Sequence, residues 1–370
     1  MGLSAKLEKT FVGISKWTRA RLVTHTEYQN IKKKKKLINS VNLSEKEKKE
    51  IDHFFLDNYG KRIPYHWHRL YQSYTGAYHK DYFPEILYST KLEPMLNPYR
   101  EAEFLGDKNL LPLLFEGDKE VIIPKTFGAC VKGRCLEGSH RFVSFDRLCQ
   151  NISDMGGCVV KKTIDTSSGR DVQICDFHSG KDLKTGVAII DVLSAFGNNF
   201  VIQEKITQHE SLSRLNDTSV NTFRIITYYC NNEVHVCPVA LRLGRSNADR
   251  DNIHYGGICV GVDKDGNLKP KAFSEYGDTF NEHPDTHIKF DNYVVGGGCF
   301  RSVVELVKER HGRMPHLGIL SWDITLDEHA KPIIIEINTT GQSAWFCQMV
   351  NGEPLFGENT ADMLKLIKSR

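Results

Sequence analysis

Two apolar segments near the C-terminus carry carboxylates where a simple core would place leucine. Residues 320–326, LSWDITL, and residues 332–338, PIIIEIN, are predicted to be paired strands joined by the polar turn DEHAK. Alternate side chains along a strand share a face, so Glu336 and Asn338 point the same way and Asp323 can face them from the neighbouring strand. Two carboxylates and an amide oxygen suit a hard cation, above all Mg²⁺, whose other ligands are water and phosphate oxygens. The pattern therefore implies a nucleotide, with a solvated strand end as the alternative.

Composition places the chain among ordinary globular proteins. Its 370 residues suggest two to three domains, and a net charge of +3 is too small to require a nucleic acid partner. No apolar run approaches the roughly 18 residues of a membrane span, and residues 1–23 carry too many lysines and arginines for a signal peptide. Of the ten scattered cysteines, Cys130 and Cys135 are the closest pair, and no zinc-binding cluster surrounds them. We expect mostly reduced thiols and a cytoplasmic location.

Basic residues are concentrated at the N-terminus. Apolar residues recur at steps of three to five over residues 3–22, with lysines and arginines between them, and five lysines follow at residues 32–36. A basic amphipathic helix with a lysine run can lie on an anionic membrane surface. The alternative is a helix docked on its own domain, followed by a solvated loop. Peripheral membrane contact through residues 3–36 is therefore one of two hypotheses.

The rest of the chain divides into a helical part and a part of mixed strands and helices. Residues 1–60 are predicted to be helical, with a capping box at Ser44 and Glu47, and residues 61–100 predict short helices and loops. Further along, strands alternate with helices such as FRSVVELVKERHG, and short polar turns join several strands. This pattern predicts an α+β fold with a largely antiparallel sheet. The predicted strands include VIIPKTF, CVVKKT, DVQICDF, FVIQEKI, NTFRIITYYC, EVHVCPVALRL and GICVGVD.

A segment rich in histidine and aromatic residues precedes these strands. His66 and His68 are two positions apart on a predicted helix, so they do not face each other as metal ligands would. Tyr71, Tyr74 and Tyr78 follow a helical spacing, which is more typical of a buried core than of a sugar-binding face. Some of these rings could still line a groove for an acceptor.

The carboxylates and the asparagine follow the pattern D-x12-E-x-N on consecutive strands, which resembles the metal-binding signature of the ATP-grasp superfamily. Enzymes of this superfamily close ATP between two α+β subdomains and usually join a carboxylate to an amine through an acylphosphate. The resemblance implies ATP together with Mg²⁺, for which Mn²⁺ can substitute. It also implies two metal ions on Asp323, Glu336 and Asn338, with Glu336 shared between them.

Two lysines occupy positions at which the superfamily binds nucleotide phosphates. Lys108 opens a helix in FLGDKNLLPLLF, and the resemblance implies that it reaches the phosphates. Lys161 ends the apolar strand of CVVKK, and the resemblance implies contact with an α-phosphate oxygen and the adenine edge. Lys162 is the alternative, on the other face of the strand. The hairpin that follows resembles a lid over the phosphates, with a tip formed by Ser167, Ser168 and Gly169.

The segment FVIQEKITQHE resembles the strand that leads into the hinge of ATP-grasp proteins. The resemblance implies that Gln203, Glu204 and Ile206 contact adenine. It assigns the ribose hydroxyls to Glu210, with His209 as the weaker alternative.

Arginines follow at positions typical of the ligases in this superfamily. Arg224 and Arg242 lie on two adjacent predicted strands, and Arg250 and Asn252 belong to a loop of the form R-x-N-x-x-x-G-G. This spacing resembles the ATP-grasp ligases that add glutamate to a ribosomal protein. It implies that these residues brace the γ-phosphate and the acylphosphate transition state.

A closer resemblance covers most of the chain from about residue 45 onward. The segments YHWHRLYQSYTGAY, DKN, SVNTFRIIT, DNIHYGGI and SWDI with EIN are similar to the sugar-transfer-associated ATP-grasp family of bacterial capsule and surface-polysaccharide biosynthesis. The family implies an ATP-grasp fold after a mostly helical region. The expected divisions are residues 1–105 for the helical, aromatic-rich region, 106–200 for the ATP-grasp N-terminal part with its lid, and 201–370 for the catalytic C-terminal part.

The function implied by the resemblance is carboxylate–amine ligation on a sugar or sugar-linked substrate, with ADP and phosphate released. Two alternatives stay open, namely a kinase that phosphorylates a sugar hydroxyl and an ATP-binding regulatory partner of polysaccharide assembly. The intact metal-binding pattern argues against the regulatory partner. The chain departs from many relatives at Ser321, where they have arginine, and at TTGQ after Asn338, where they have proline and glycine. Both positions touch the acyl substrate in relatives.

Overall fold

The N-terminal region is a layer of helices that packs on one face of a large sheet. The computed structural model describes residues 3–138, 141–163, 172–246, 248 and 251–369, and side chains from residue 18 onward. The helices of this region are α1 (Leu3–Lys33), α2 (Lys35–Ser40), α3 (Glu45–Asn58), α4 (His66–Thr75), α5 (Glu85–Leu87), α6 (Glu93–Leu96), α7 (Tyr99–Leu105) and α8 (Leu111–Leu114), with a π-helical turn at Tyr88–Leu92 and a 3-10 turn at Lys108–Leu110.

Local signals explain how this helical layer begins and packs. At the start of α3, the Ser44 side chain accepts a hydrogen bond from the Glu47 amide and the Glu47 carboxylate accepts one from the Ser44 amide, so the predicted capping box is confirmed. Tyr71 and Tyr74 of α4 are buried in the core beneath the sheet, while Tyr78, which follows the end of that helix, is half-buried. The aromatic segment is thus mainly core, as its spacing predicts.

A first sheet follows, built from short strands and two helices. Its elements are β1 (Thr126–Val131), β2 (Arg134–Glu137), β3 (Phe142–Val143), α9 (Phe145–Asn151), β4 (Gly156–Lys162), β5 (Val172–His178), β6 (Lys181–Asp182), α10 (Ile189–Ala195) and β7 (Phe200–Glu204). The strand order is β3-β2-β1-β7-β4-β5-β6. Apolar side chains of this sheet and its two helices form a small core of their own. A disulfide joins Cys130 to Cys135 across the β1–β2 hairpin, whereas the other eight cysteines are free. The expectation of mostly reduced thiols therefore needs correction at this one pair.

The second, larger sheet carries the polar positions of interest. Its elements are α11 (Glu210–Ser213), β8 (Thr222–Cys230), β9 (Glu233–Val236), β10 (Val239–Leu243), β11 (Ile258–Val262), β12 (Leu268–Phe273), β13 (Thr279–Phe280), α12 (Phe300–Gly312), β14 (Ile319–Leu326), β15 (Pro332–Asn338), α13 (Trp345–Asn351) and α14 (Thr360–Lys368), with 3-10 turns at Ile253–Tyr255, Gly296–Gly298 and Gly357–Asn359. The order is β13-β12-β11-β10-β8-β14-β15, with β9 pairing β8. One face packs on α12 and the other on the N-terminal helices.

The observed sheets confirm the α+β class, and every ladder between the described strands is antiparallel. Two predicted strands need correction, both because of proline. The segment VIIPKTF enters its sheet only at Thr126, after Pro124, and Ile122 forms an isolated bridge instead. The segment EVHVCPVALRL is divided at Pro238 into β9 and β10. No described helix is long and apolar enough to cross a membrane.

Asn97 joins the helical layer to the strands of the second sheet. The buried Asn97 amide nitrogen donates to the carbonyls of Ile319 and Thr339, at 2.5 and 2.7 Å, and its oxygen accepts from the Ile319 amide at 3.1 Å. Ile319 begins β14 and Thr339 directly follows β15. One side chain therefore holds the ends of the two strands that carry the carboxylates.

Replacing Asn97 by alanine would leave an amide of β14 and a carbonyl after β15 buried without partners. Each such group costs about 1–3 kcal/mol, so we expect Asn97→Ala to lower the free energy of unfolding by about 2–4 kcal/mol. Urea denaturation measures this change. The matched control is Asn39→Ala, at an exposed asparagine of α2, which should shift the value by no more than about 0.5 kcal/mol. Equal losses in the two variants would contradict the bridging role.

Candidate active site

The β14–β15 hairpin brings the predicted metal ligands onto one face of the second sheet. Asp323 lies directly opposite Glu336, and Ser321 lies directly opposite Asn338. Residues paired across an antiparallel ladder point to the same side, as do residues two apart on one strand. The three predicted ligands therefore share a face, and the predicted hairpin is confirmed. The same face of the sheet is covered beyond the hairpin by the N-terminal helices.

Two arginines from neighbouring strands converge on Asp323. Arg224 lies opposite Asp323 on β8, and its Nε is 2.7 Å from Oδ1 while its Nη2 donates to Oδ2 at 3.3 Å. Arg242 on β10 places Nη2 3.1 Å from the same Oδ2. All three side chains are buried, with 8% of each arginine and 5% of Asp323 exposed. Burial would raise the pKa of Asp323, but the two guanidinium groups outweigh it and lower that pKa.

Thr222 and Asp251, which were not predicted from the sequence, hold Arg242 in place. The Arg242 Nε and Nη2 donate to Thr222 Oγ1 at 2.9 and 2.6 Å, and Nε lies 3.4 Å from Asp251 Oδ2. The Thr222 hydroxyl itself donates to Asp251. Asp251 is buried, which raises its pKa, although Arg242 acts in the opposite direction. The available signals were that Thr222 shares a strand face with Arg224 and that Asp251 adjoins Asn252.

The backbone conformation of the R-x-N-x-x-x-G-G loop requires glycine at both of its last two positions. Asn252 caps the turn, since its Oδ1 accepts from the His254 amide at 2.8 Å. Gly256 has φ of 94°, which favours glycine, and a Cβ on Gly257 would lie 2.5 Å from the Asp251 carbonyl oxygen. The loop thus turns tightly enough to place Asp251 beneath Arg242. Arg250, the predicted catalytic arginine of this loop, lies outside the described residues.

Lys108 reaches the sheet from the helical side. Its buried ammonium lies 2.7 Å from Glu336 Oε1, and its amide donates to the Thr163 carbonyl at 3.4 Å. Asp107 caps the short 3-10 turn by accepting from the Asn109 amide. The structure therefore brings Lys108 to a predicted metal ligand.

Lys161 is buried at the end of β4 in the first sheet, with 7% of it exposed. Burial, and then the nearby Lys108 ammonium, lower the pKa of Lys161 to about 8, while Glu336 acts in the opposite direction. Within the described part of the chain, no ion pair involves its Nζ. A buried cation whose charge is only partly balanced, here by Glu336, favours an anionic ligand. Ser167, Ser168 and Gly169, the predicted lid tip, lie outside the described residues.

A cleft of about 1040 Å³ lies between the β1–β2 hairpin, the helical layer and the hairpin β14–β15. Arg224, Arg242 and Asn252 line it from the second sheet and its loop. Lys108, Glu336 and Asn338 line it as well, together with residues 339–343. One opening therefore exposes these six predicted residues, whereas Lys161 and Asp323 lie behind its described wall.

The predicted adenine and ribose residues lie elsewhere. Gln203 is buried in β7 and donates to the Pro124 carbonyl and to Thr126, and Glu204 accepts from the Lys125 amide at 2.8 Å. Ile206 is half-buried beyond the strand, while Glu210 is exposed at the start of α11 and lies 4.0 Å from Arg214. None of these four residues lines the described wall of the cleft. Their assignment to adenine and ribose stays a prediction.

The donor set fits Mg²⁺ only when the nucleotide supplies further oxygens. The described residues contain no group of three or more histidine, cysteine, aspartate or glutamate side chains that could hold a metal. Mg²⁺ needs one or two carboxylates, with waters and phosphates as its other ligands. Asp323, Glu336 and Asn338 meet that requirement on one face. In the structure each carboxylate is paired with a cation, Glu336 with Lys108 and Asp323 with Arg224.

Residues 87–362 match the sequence model of the family described as sugar-transfer associated ATP-grasp. This match covers most of the chain, so the protein belongs to that family. The predicted family and fold class are confirmed, and with them an enzyme of the ATP-grasp type. A search of the curated proteins finds no match.

The solved structures that match the chain are distant in sequence. The N5-carboxyaminoimidazole synthetase of Staphylococcus aureus, complexed with ADP, is 12% identical with a TM-score of 0.34, over 65% of this chain and 46% of that one. The D-alanyl-alanine synthetase A of Vibrio cholerae is 12% identical with a TM-score of 0.40, over 72% and 66%. A Hydrogenobacter thermophilus biotin carboxylase domain with MgADP is 12% identical with a TM-score of 0.36, over 70% and 48%. The chain spans about half the length of the first and third of these proteins.

The low pKa of Lys161 gives a prediction about charge in the site. We expect the Lys161 ammonium to titrate at about 8, against an ordinary 10.5. Lys108→Gln should raise this pKa because it removes a repelling charge, and Glu336→Gln should lower it because it removes an attracting one. The ¹³Cε chemical shift of Lys161 reports the titration in each protein. Shifts in the same direction in both variants would contradict this arrangement.

The same titration affects folding. The folded pKa lies below the unfolded one, so between pH 8 and 10.5 the unfolded chain binds more protons and this lysine's contribution makes stability rise with pH.

Proposed function

We propose that the protein is an ATP-dependent ligase that joins a carboxylate to an amine and releases ADP and phosphate. One observation carries the proposal, namely that three cationic side chains and two oxygen donors open onto a single cleft. These are Lys108, Arg224, Arg242, Glu336 and Asn338. A site of this composition suits a polyanionic nucleotide beside a second anion.

The residues of the cleft suggest a division of roles. Lys108 and Lys161 would bind the nucleotide phosphates, and Arg224 and Arg242 would hold the γ-phosphate and then the acylphosphate. Mg²⁺ held by Asp323, Glu336 and Asn338 would offset the negative charge of the phosphates when bound. The arginines are already fixed by Asp323 and by Thr222, so they need little reorganisation during the reaction.

The chemistry proceeds in two displacements. A carboxylate oxygen of the substrate attacks the γ-phosphorus, and ADP leaves with the electron pair of the broken P–O bond. The amine then attacks the acyl carbon, and phosphate leaves as the amide forms. Neither displacement needs a protein nucleophile, and the free cysteines of the described residues are buried except for Cys299.

The family description, which names sugar transfer, supports a sugar or sugar-linked substrate. We propose polysaccharide assembly as the setting of this reaction. Residues 339–343 line the cleft beyond Asn338 and would contact this substrate. The first four of them, TTGQ, differ from the pattern of many relatives. The cytoplasmic location and peripheral membrane contact through residues 3–36 remain predictions. For the membrane contact, the relevant observation is that four of the five lysines at residues 32–36 are exposed.

A substitution at Glu336 tests the metal and nucleotide assignment. Glu336→Gln keeps the shape of the side chain but removes a charged metal ligand, and we expect ATP turnover to fall at least about 100-fold because the phosphates lose their charge balance. ADP release measures turnover, and circular dichroism verifies folding. The control is Glu328→Gln, in the exposed turn of the same hairpin, which should leave turnover unchanged. Full turnover in the Glu336 variant would remove this assignment.

A substrate panel separates the ligase from its alternatives. The protein is incubated with ATP, Mg²⁺, uronic acids and amino acids as carboxylates, and amines in turn. Phosphate release that depends on both a carboxylate and an amine is the expected result for the ligase. Phosphorylation of a sugar without any amine would instead indicate a kinase. If no combination gives phosphate release or a phosphorylated sugar, the result would favour a regulatory ATP-binding partner.

A further inference from the structure

A histidine, a glutamate and a lysine form a chain of charge contacts that ends at the cleft. His254 Nδ1 lies 2.8 Å from Glu275 Oε2, and Lys34 Nζ lies 2.9 Å from Glu275 Oε1. Each oxygen of one carboxylate therefore has its own partner. The side chains of Lys34 and Glu275 are 5% and 10% exposed, whereas that of His254 is 39% exposed and lines the cleft.

The buried pair fixes the proton on one nitrogen of the imidazole. Burial would raise the pKa of Glu275, but His254 and Lys34 outweigh it and lower that pKa to about 2. Glu275 is thus a carboxylate that can only accept hydrogen bonds, so His254 Nδ1 must carry the proton it donates. In the neutral ring, Nε2 is then the unprotonated, basic nitrogen.

Packing around Lys34 shows that this contact is built into the fold. Its ammonium lies 4.3 Å from the centre of the Trp345 ring, and Tyr74 donates to the Glu275 carbonyl at 2.7 Å. Within the run of lysines at residues 32–36, Lys34 is the buried member. Water solvates the ammonium of an exposed lysine, whereas the buried ammonium of Lys34 is stabilised by a carboxylate and an aromatic ring.

We propose that His254 is the general base that takes the proton from the amine substrate, with Glu275 and Lys34 as positioning residues. The proposal rests on the ligase function proposed above and adds the residue that activates its second substrate. His254 shares the cleft wall with Arg224 and Arg242, which would hold the acylphosphate. A base in the same cleft as these arginines would meet an amine that enters to attack the acyl carbon.

The proton balance of the step is complete. An ammonium substrate gives one proton to His254 Nε2, and the freed amine attacks the acyl carbon with its lone pair. The C–N bond forms, the acyl C–O bond breaks, and phosphate leaves with the electron pair. The second proton of the attacking nitrogen goes to the phosphate, which leaves as HPO₄²⁻. The imidazolium then returns its proton to solvent, and Glu275 stabilises its charge meanwhile.

Hydroxylamine separates this step from the one before it. Hydroxylamine is mostly unprotonated at neutral pH, so it captures an acylphosphate without a base. With ATP, Mg²⁺ and the panel of uronic and amino acids, we expect His254→Gln to keep hydroxamate formation and to lose amide formation with an ordinary amine by about 100-fold or more. Undiminished amide formation in His254→Gln would overturn the proposal and leave the ligase function intact. Absence of hydroxamate in the unsubstituted protein would instead overturn the ligase function, and the base with it.

A spectroscopic measurement on the positioning residues needs no substrate. In ¹⁵N-labelled protein, neutral His254 should show a protonated Nδ1 and an unprotonated Nε2. Lys34→Met should weaken this preference and lower the rate of amide formation while hydroxamate formation stays the same. The control is Lys36→Met, an exposed lysine of the same run, which should change neither. A protonated Nε2 in the unsubstituted protein would contradict the proposed base.

Discussion

The contact of one buried aspartate with two arginines determines how the cleft is arranged. A carboxylate buried as deeply as Asp323 is costly unless it is paired, and the guanidinium groups of Arg224 and Arg242 supply that pairing from two adjacent strands. At an effective dielectric constant of about 20, unit charges 4 Å apart interact by about 4 kcal/mol, so two such contacts can offset burial. Lysine would not serve equally well, because the planar guanidinium binds a carboxylate and a neighbouring hydroxyl at once. Asp323 thereby fixes both arginines toward the cleft.

The charge left over after this pairing explains why the site favours a polyanion. Four cations, namely Lys108, Lys161, Arg224 and Arg242, face the three carboxylates Asp251, Asp323 and Glu336. Lys161 takes no part in these ion pairs, and its lowered pKa records the energetic cost of that isolation. A nucleotide phosphate next to Lys161 would relieve that cost, so this lysine would contribute to the free energy of nucleotide binding.

The helical layer also shapes the cleft, because it holds the segment that follows Asn338. The Gln342 amide donates to Glu93 at 2.7 Å and the Ala344 amide donates to Glu85 at 3.0 Å, while Tyr88 donates to the Gln342 side chain. Burial raises the pKa of Glu93 to about 7, against the lowering effect of the amides, and raises that of Glu85 well above its usual range. These buried acids accept hydrogen bonds from backbone amides and so organise the wall beyond the metal ligands.

Sequence reasoning succeeded where a short-range pattern determines the geometry. The register of β14 and β15 follows from alternation and a short turn, so the common face of Asp323 and Glu336 could be predicted. Lys34, Asp251 and Thr222 could not, because their roles depend on partners brought together only by the fold. The lysine run at residues 32–36 is the clearest case. Two hypotheses treated it as uniform, yet Lys34, which separates α1 from α2, is buried together with Ile31 and Ile38, while the other four lysines are exposed.

Because Lys34 pairs with Glu275 in the interior, the catalytic unit includes residues that precede the family match. The family match begins at residue 87, but the charge chain that reaches the cleft begins at Lys34 and passes through Glu275, far along the second sheet. A buried ion pair between segments so distant in sequence holds only if both are ordered together, because either charge alone would be unpaired in the interior. The helix that resembled a membrane anchor is thus, at its C-terminal end, part of the support for the cleft wall.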